Sequence, residues 1–181
     1  MAREIDTTNV RSLLTQWHVR CRRNRVANYA AANVFSKRHI VLGVFTVSIS
    51  AIVGTSVFAS LGKQVMPAIQ ITVGVMSILA AVLAALQTFL KYGDRASAHR
   101  LTGSRYGALV RPIEMQLAVS KEPPPPQVVE AIKTKMDKLA EEAPELPEYI
   151  WKQSLKQIPP LEQNYEVFVP AIEDGEAPQM R

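Results

Sequence analysis

The 181 residues leave room for one small membrane unit and one helical domain, and exclude a chain of several domains. The formal net charge is +5, and the mean hydropathy of +0.02 averages two strongly apolar runs with a charged remainder. Cys21 is the only cysteine, which excludes an internal disulfide and gives no sign of an oxidising compartment.

In chain order, residues 1–39 read as an N-terminal amphipathic helix. Ile5, Leu13, Leu14, Trp17, Cys21 and Tyr29 recur near multiples of the helical turn, and no Pro or Gly interrupts them from Ile5 to Phe35. The helix is therefore free to run into the apolar segment that follows. A signal-peptide plan is missing, because the first apolar run begins near residue 40 behind a long basic stretch. No lipidation motif is present.

No charged side chain occurs between His39 and Lys63, nor between Lys63 and Lys91. Ile40–Leu61 and Ala68–Leu90 are each long enough as helices, at about 33 Å, to cross the hydrocarbon core of a bilayer. Residues 40–90 thus read as a two-span hairpin, with spans at 40–61 and 68–90 and Lys63 at its tip. A soluble bundle with two buried helices is the competing reading, but core helices seldom carry such long uncharged runs. Eight basic residues in 1–39 face only Glu4 and Asp6, and Lys91, Arg95, Arg100, Arg105 and Arg111 follow the second span. The positive-inside rule then puts both termini in the cytoplasm. Arg20, Arg22, Arg23, Arg25, Lys37 and Arg38 form a basic patch beside the membrane, suited to anionic lipid headgroups and to setting topology. Nucleic acid, the partner that such a patch would suggest in a soluble protein, is the less favoured reading.

At 100° per residue the second span carries a narrow stripe of small and polar residues: Gln70, Gly74, Ser77, Ala81, Ala84, Ala85 and Thr88. Large aliphatic side chains cover the other side. On the first span Gly43, Thr46, Ser50 and Gly54 share a face. Such a stripe either packs against the other span or a neighbouring helix, or lines an aqueous path in an oligomer, since two helices cannot enclose a channel alone. No ionisable residue lies within either span, which disfavours a proton relay or coupled transporter.

From 91 to 120 the spacing predicts a cytosolic helix continuous with the second span. Tyr92, Ala96, His99, Gly103, Tyr106, Val110, Ile113 and Leu117 alternate four and three residues apart. Tyr92, His99, Tyr106 and Ile113 mark this seam, whose partner is expected to be the N-terminal helix. Gly103 and Gly107 imply close backbone approach, and Pro112 implies a kink or local break. Residues 121–126 form a proline linker. Residues 127–158 hold two helices, one with Val128, Val129, Ile132, Met136 and Leu139 on one side, the other from Glu148 to Ile158. Residues 159–181 read as an extended or disordered acidic tail.

No catalytic, cofactor-binding or metal constellation emerges. His18 and Cys21 stand one turn apart without a nearby carboxylate. His39, at the membrane boundary, reads as an anchor, and no phosphate loop or nucleophile elbow is present. The expectation is a non-enzymatic protein without a cofactor.

Leu86-Gln87-Thr88-Phe89-Leu90-Lys91-Tyr92, Ala96-Ser97-Ala98-His99-Arg100, Arg105-Tyr106 and Arg111-Pro112-Ile113-Glu114 together resemble the SLATT family of SMODS- and SLOG-associating two-transmembrane effectors. Ala98-His99-Arg100 followed by Tyr106 matches the family's Ala-His-Arg step and later Tyr, and Ala143-Pro144-Glu145-Leu146-Pro147 also fits. The resemblance covers residues 10–158, with Pro112 departing from the pattern. It implies an all-α membrane protein: a two-transmembrane helical hairpin continuous with cytosolic helices that form a small bundle. It further implies a homo-oligomeric, pore-forming effector of the bacterial inner membrane in anti-phage cell suicide, signalled by a separate nucleotide-generating or nucleotide-sensing partner. A membrane-anchored scaffold that docks a partner without forming a pore is the alternative.

Overall fold

The computed structural model describes residues 7–60, 66–119 and 124–156. Those residues form five helices and no strand: α1 (Thr7–Ser60), α2 (Pro67–Leu90), α3 (Tyr92–Val119), α4 (Pro126–Glu142) and α5 (Glu148–Leu155). Among the described residues, 7–31 with 98–119 and 124–156 make one compact unit, and 32–60 with 66–97 a second. The readings placed on Ile5, Lys63, Ile158 and the 159–181 tail lie outside the described residues.

The helical unit is built on the pairing of the first half of α1 with α3. Leu14 and Cys21 from α1 meet Tyr106, Leu109, Val110 and Ile113 from α3, and Ile132, Met136 and Leu139 from α4 close the core. These positions recur three and four residues apart, so each helix presents one continuous apolar face. Gly103 sits where a β-carbon would stand 3.3 Å from the Tyr29 ring and 3.4 Å from the Arg25 carbonyl oxygen, and one on Gly107 would meet the Arg25 side chain at 3.4 Å. Close approach of the two backbones thus depends on the missing side chain at Gly103. Polar contacts flank the seam: Arg11 donates to the Leu117 carbonyl at 3.0 Å, and His18 lies 3.0 Å from Glu114. α5 is held by the buried Ile150 and Ser154, with the Arg23 guanidinium 5.3 Å from the Trp151 ring centroid.

In the second unit, the uncharged halves of α1 and α2 leave their apolar side chains outward. Ile40, Phe45, Phe58, Ile71, Ile78 and Phe89 are between 58% and 81% exposed. Both helices are long and apolar enough to cross a membrane, and only 6% of either apolar window is buried. That exposure runs against the competing soluble bundle, whose core helices would be covered. The hydroxyls of Thr46, Thr55, Ser56 and Thr72 donate to their own helix's carbonyls four residues back, at 2.8 to 2.9 Å. This is the satisfaction that a polar side chain needs where water is scarce.

Three local expectations are refined. The span and the cytosolic helix after it are not continuous: Lys91 adopts a left-handed conformation, φ 46° and ψ 39°, and ends α2, and α3 restarts with the Arg95 N–H donating to the Lys91 carbonyl at 3.0 Å. Uninterrupted apolar periodicity gave no warning, because lysine has no preference for this region. Of the two outcomes expected at Pro112, a local break does not occur, since α3 passes through it; the ring forgoes the helical hydrogen bond to Ala108 and crowds that residue's carbonyl. The proline linker is shorter than expected, since α4 begins at Pro126, a residue suited to a first turn.

Two substitutions test this packing. Gly103→Leu should destabilise the helical unit by roughly 1–3 kcal/mol through overpacking against Tyr29 and Arg25, read by denaturant titration of helicity. Lys91→Gly should stabilise the protein by about 1 kcal/mol by removing the left-handed penalty, read as a rise in melting temperature.

Candidate functional site

Three faces of α2 can be separated by exposure. Val73, Ala80, Leu83, Gln87 and Leu90 are its least exposed residues, and their seven-residue recurrence (73, 80, 87) is that of a helix packed along one seam. On α1 the matching row is His39, Leu42, Thr46, Ile49, Val53, Ser56 and Ser60. The two rows belong to one antiparallel pair, as Gly43 near Gln87 Nε2 (3.5 Å from a β-carbon placed on Gly43) and Phe35 stacked with Tyr92 at 6.1 Å indicate. A large aliphatic face including Ile71, Ile78 and Phe89 forms the second surface.

The third face is the predicted stripe. Gln70, Gly74, Ser77, Ala81, Ala84, Ala85 and Thr88 are all exposed, and a β-carbon added to Gly74 would meet nothing within 4 Å. Within the chain the stripe is not covered by the first span, so of its alternatives a neighbouring helix or an aqueous path stays open. By helical phase it stands roughly 110° from the seam that packs against that span. Sequence reading missed the true seam because its residues mix Ala, Leu, Val and Gln and carry no common chemical mark. Their seven-residue spacing was the available signal. The small-residue face of α1, by contrast, overlaps the seam: Gly43, Thr46 and Gly54 are partly covered, and only Ser50 is exposed.

In the helical unit the residues of the α3 seam fall on its covered side. His99, Tyr106 and Ile113 are 3%, 6% and 0% exposed, and Tyr92, in the second unit, is partly covered. His99 Nδ1 lies 2.9 Å from Asn28 Oδ1, while the Asn28 amide donates to the Asn24 carbonyl at 2.9 Å. That second bond leaves Oδ1 as the acceptor, so the imidazole carries its proton on Nδ1. Burial pushes the His99 pKa below its ordinary value. Burial likewise raises the Tyr106 hydroxyl, helped by Cys21 and opposed by Arg20. The Cys21 thiol is pushed up to about 11 by burial, against the pull of Arg20. A thiol held protonated in this way lacks the character of a nucleophile or metal ligand, and among the described residues no cluster of three metal-ligating side chains occurs.

The basic patch divides. Arg20, Arg22 and Arg25 are exposed on α1 in the helical unit, and Lys37 and Arg38 are exposed in the second. Arg23 does not belong with them: it is 7% exposed and lies over Trp151. Alternation within the run placed Arg23 on the covered side of α1, where a guanidinium plane can rest on an indole. No protein-family model, curated protein or solved structure matches the chain.

The His99–Asn28 pair fixes a pH dependence. A histidine whose pKa is lower in the folded state binds fewer protons there than in the unfolded chain, so its contribution to stability is present above the unfolded value of about 6.5 and is lost as pH falls below it. Unfolding midpoints measured from pH 8 to pH 5 should drop on the acid side. His99→Ala should flatten that drop while costing about 2 kcal/mol at pH 8, because it leaves a buried amide oxygen without its donor.

Proposed function

We propose that this chain is a homo-oligomeric membrane protein, of the SLATT type that its motifs resemble, which permeabilises the bacterial inner membrane when its cytosolic helices respond to a stimulus. The reading rests chiefly on the uncovered stripe of α2. A hairpin that had already used its small residues to pair its two spans would serve as an anchor. Here the intrachain seam of α2 uses other residues of that helix, and an uncharged face from Gln70 to Thr88 is left over. In lipid, such a face favours close approach of a helix from another copy, or lines water within a ring of copies. The large aliphatic face of Ile71, Ile78 and Phe89 suits acyl chains.

The proposed topology sets both ends of the chain in the cytoplasm, with Lys37, Arg38 and Lys91 at the headgroup level, where each contributes about 1 kcal/mol of attraction to anionic lipid. α1 has no break between Thr7 and Ser60 and contributes residues to both units. A stimulus acting on the α1–α3 pair would shift the spans between closed and open packings only to the extent that it binds the open form better. A separate protein that makes or senses a nucleotide is the proposed source of that stimulus, and an anti-phage suicide response the proposed setting.

Induced expression should collapse the membrane potential, and reconstituted protein should release dye from liposomes. Ser77→Leu or Ala81→Leu should abolish release or change particle size, because either side chain fills the stripe. Tight liposomes under activating conditions would refute pore formation. Unaltered leakage in both variants would remove the stripe from the mechanism. Function retained after both spans are replaced by Leu-rich helices would make the hairpin an anchor and the protein a scaffold.

A further inference from the structure

The helical unit carries a groove of about 690 Å³ between α3 and α4. Its floor is apolar, from Leu109, Val128, Ile132 and Leu139, with Ala108, Pro112 and Ala131 on its sides. On the same stripe of α3, Leu101 and Met115 are 53% and 63% exposed, so an apolar strip continues past both ends of the groove. The rim is basic: Arg105, Lys135 and Lys138 line it together with one carboxylate, Glu142. Glu142 already accepts from Arg105 at 2.7 Å and lies 3.9 Å from Lys138. An occupant that fits this surface combines large apolar side chains with several carboxylates.

The chain's own C-terminal segment has that chemistry. Ile158, Leu161, Tyr165, Val167, Phe168 and Val169 are interleaved with Glu162 and Glu166, and Glu173, Asp174 and Glu176 follow. Reach is sufficient. From Glu142, at the groove, to Leu155 the chain can span at most about 30 Å, five extended residues and eight helical ones. From Leu155 to Phe168 it can extend about 40 Å. Tethering also places the segment at an effective concentration in the millimolar range, ahead of any free partner of equal fit.

We infer that the groove between α3 and α4 is the docking site of the chain's own acidic C-terminal segment, with Leu161, Tyr165 and Phe168 on the apolar floor and Glu162 and Glu166 against Arg105, Lys135 and Lys138. The inference does not depend on the membrane reading. The docked segment covers the apolar strip of α3, and any protein partner for this face must displace it.

The test uses the full chain in detergent micelles, made as a mixture of isotopically heavy and light copies, with photoreactive benzoylphenylalanine replacing Phe168 or, in a second variant, Tyr165. Irradiation should link either position to α3 or α4 residues lining the groove, in peptides that are wholly heavy or wholly light. Ala131→Glu, on an exposed position that leaves the core intact, should cut the yield about tenfold by placing a like charge in the groove, four residues before Lys135 and so in competition for it. Lys135→Glu with Lys138→Glu should lower it similarly. Mixed heavy–light links would assign the groove to a second copy and overturn the inference. So would links elsewhere, no links at both positions, or a yield indifferent to Ala131→Glu.

Discussion

Large apolar side chains standing in the open are the constraint on which the molecule turns. Phe45, Phe58, Ile71, Ile78 and Phe89 are each more than half exposed on regular helices, and each such side chain carries about 1.5–3 kcal/mol of unrealised burial. No amphipathic compensation is available along these stretches, because the sequence carries no charge between His39 and Lys91 other than Lys63. A nonaqueous surrounding satisfies all of them together and asks in return only that backbone and hydroxyl groups be paired internally. The helices meet that condition through their own ladders and through the back-bonded threonines and serines. The core of the helical unit follows the opposite rule: Leu14, Ile113, Ile132, Met136 and Leu139 are covered, and Leu101 and Met115 on α3 are the exposed exceptions.

How far this was legible from residue order depends on the kind of signal. Helices and the two apolar runs were readable because absence of charge and recurrence at three and four residues are local properties. The covered face of α3 from Ala96 to Ile113 coincides with such a recurrence. Residue-to-residue partnerships were not readable. Asn28 is one of several polar residues on a basic helix, and nothing local marks it as the acceptor for His99, 71 positions away. Arg23 looked like its arginine neighbours because a basic run does not reveal which member lies under an indole.

The stripe of α2 shows how composition and packing can part company. Small residues suggested a packing or path-lining face, yet within the chain Val73, Ala80, Leu83 and Gln87 take the seam of α2. A helix pair needs one seam in phase along its length, and aliphatic residues at seven-residue spacing supply it as well as small ones. Lys91 is a second case. Its left-handed turn is set by how the two helices meet around it, and no propensity scale would have placed the boundary at a lysine.

The buried Asn28–His99 contact carries one more consequence. Apolar ridges tolerate sliding, because one leucine substitutes for another a turn away, and a pair of long helices held by such ridges alone has several nearly equivalent alignments. An amide and an imidazole that satisfy each other inside the seam remove that degeneracy: displaced by a single turn, both would be dry and unmatched, at a cost of about 1–3 kcal/mol each. The pair therefore acts as an alignment key, permitting α1 and α3 to bend or separate but not to creep along one another.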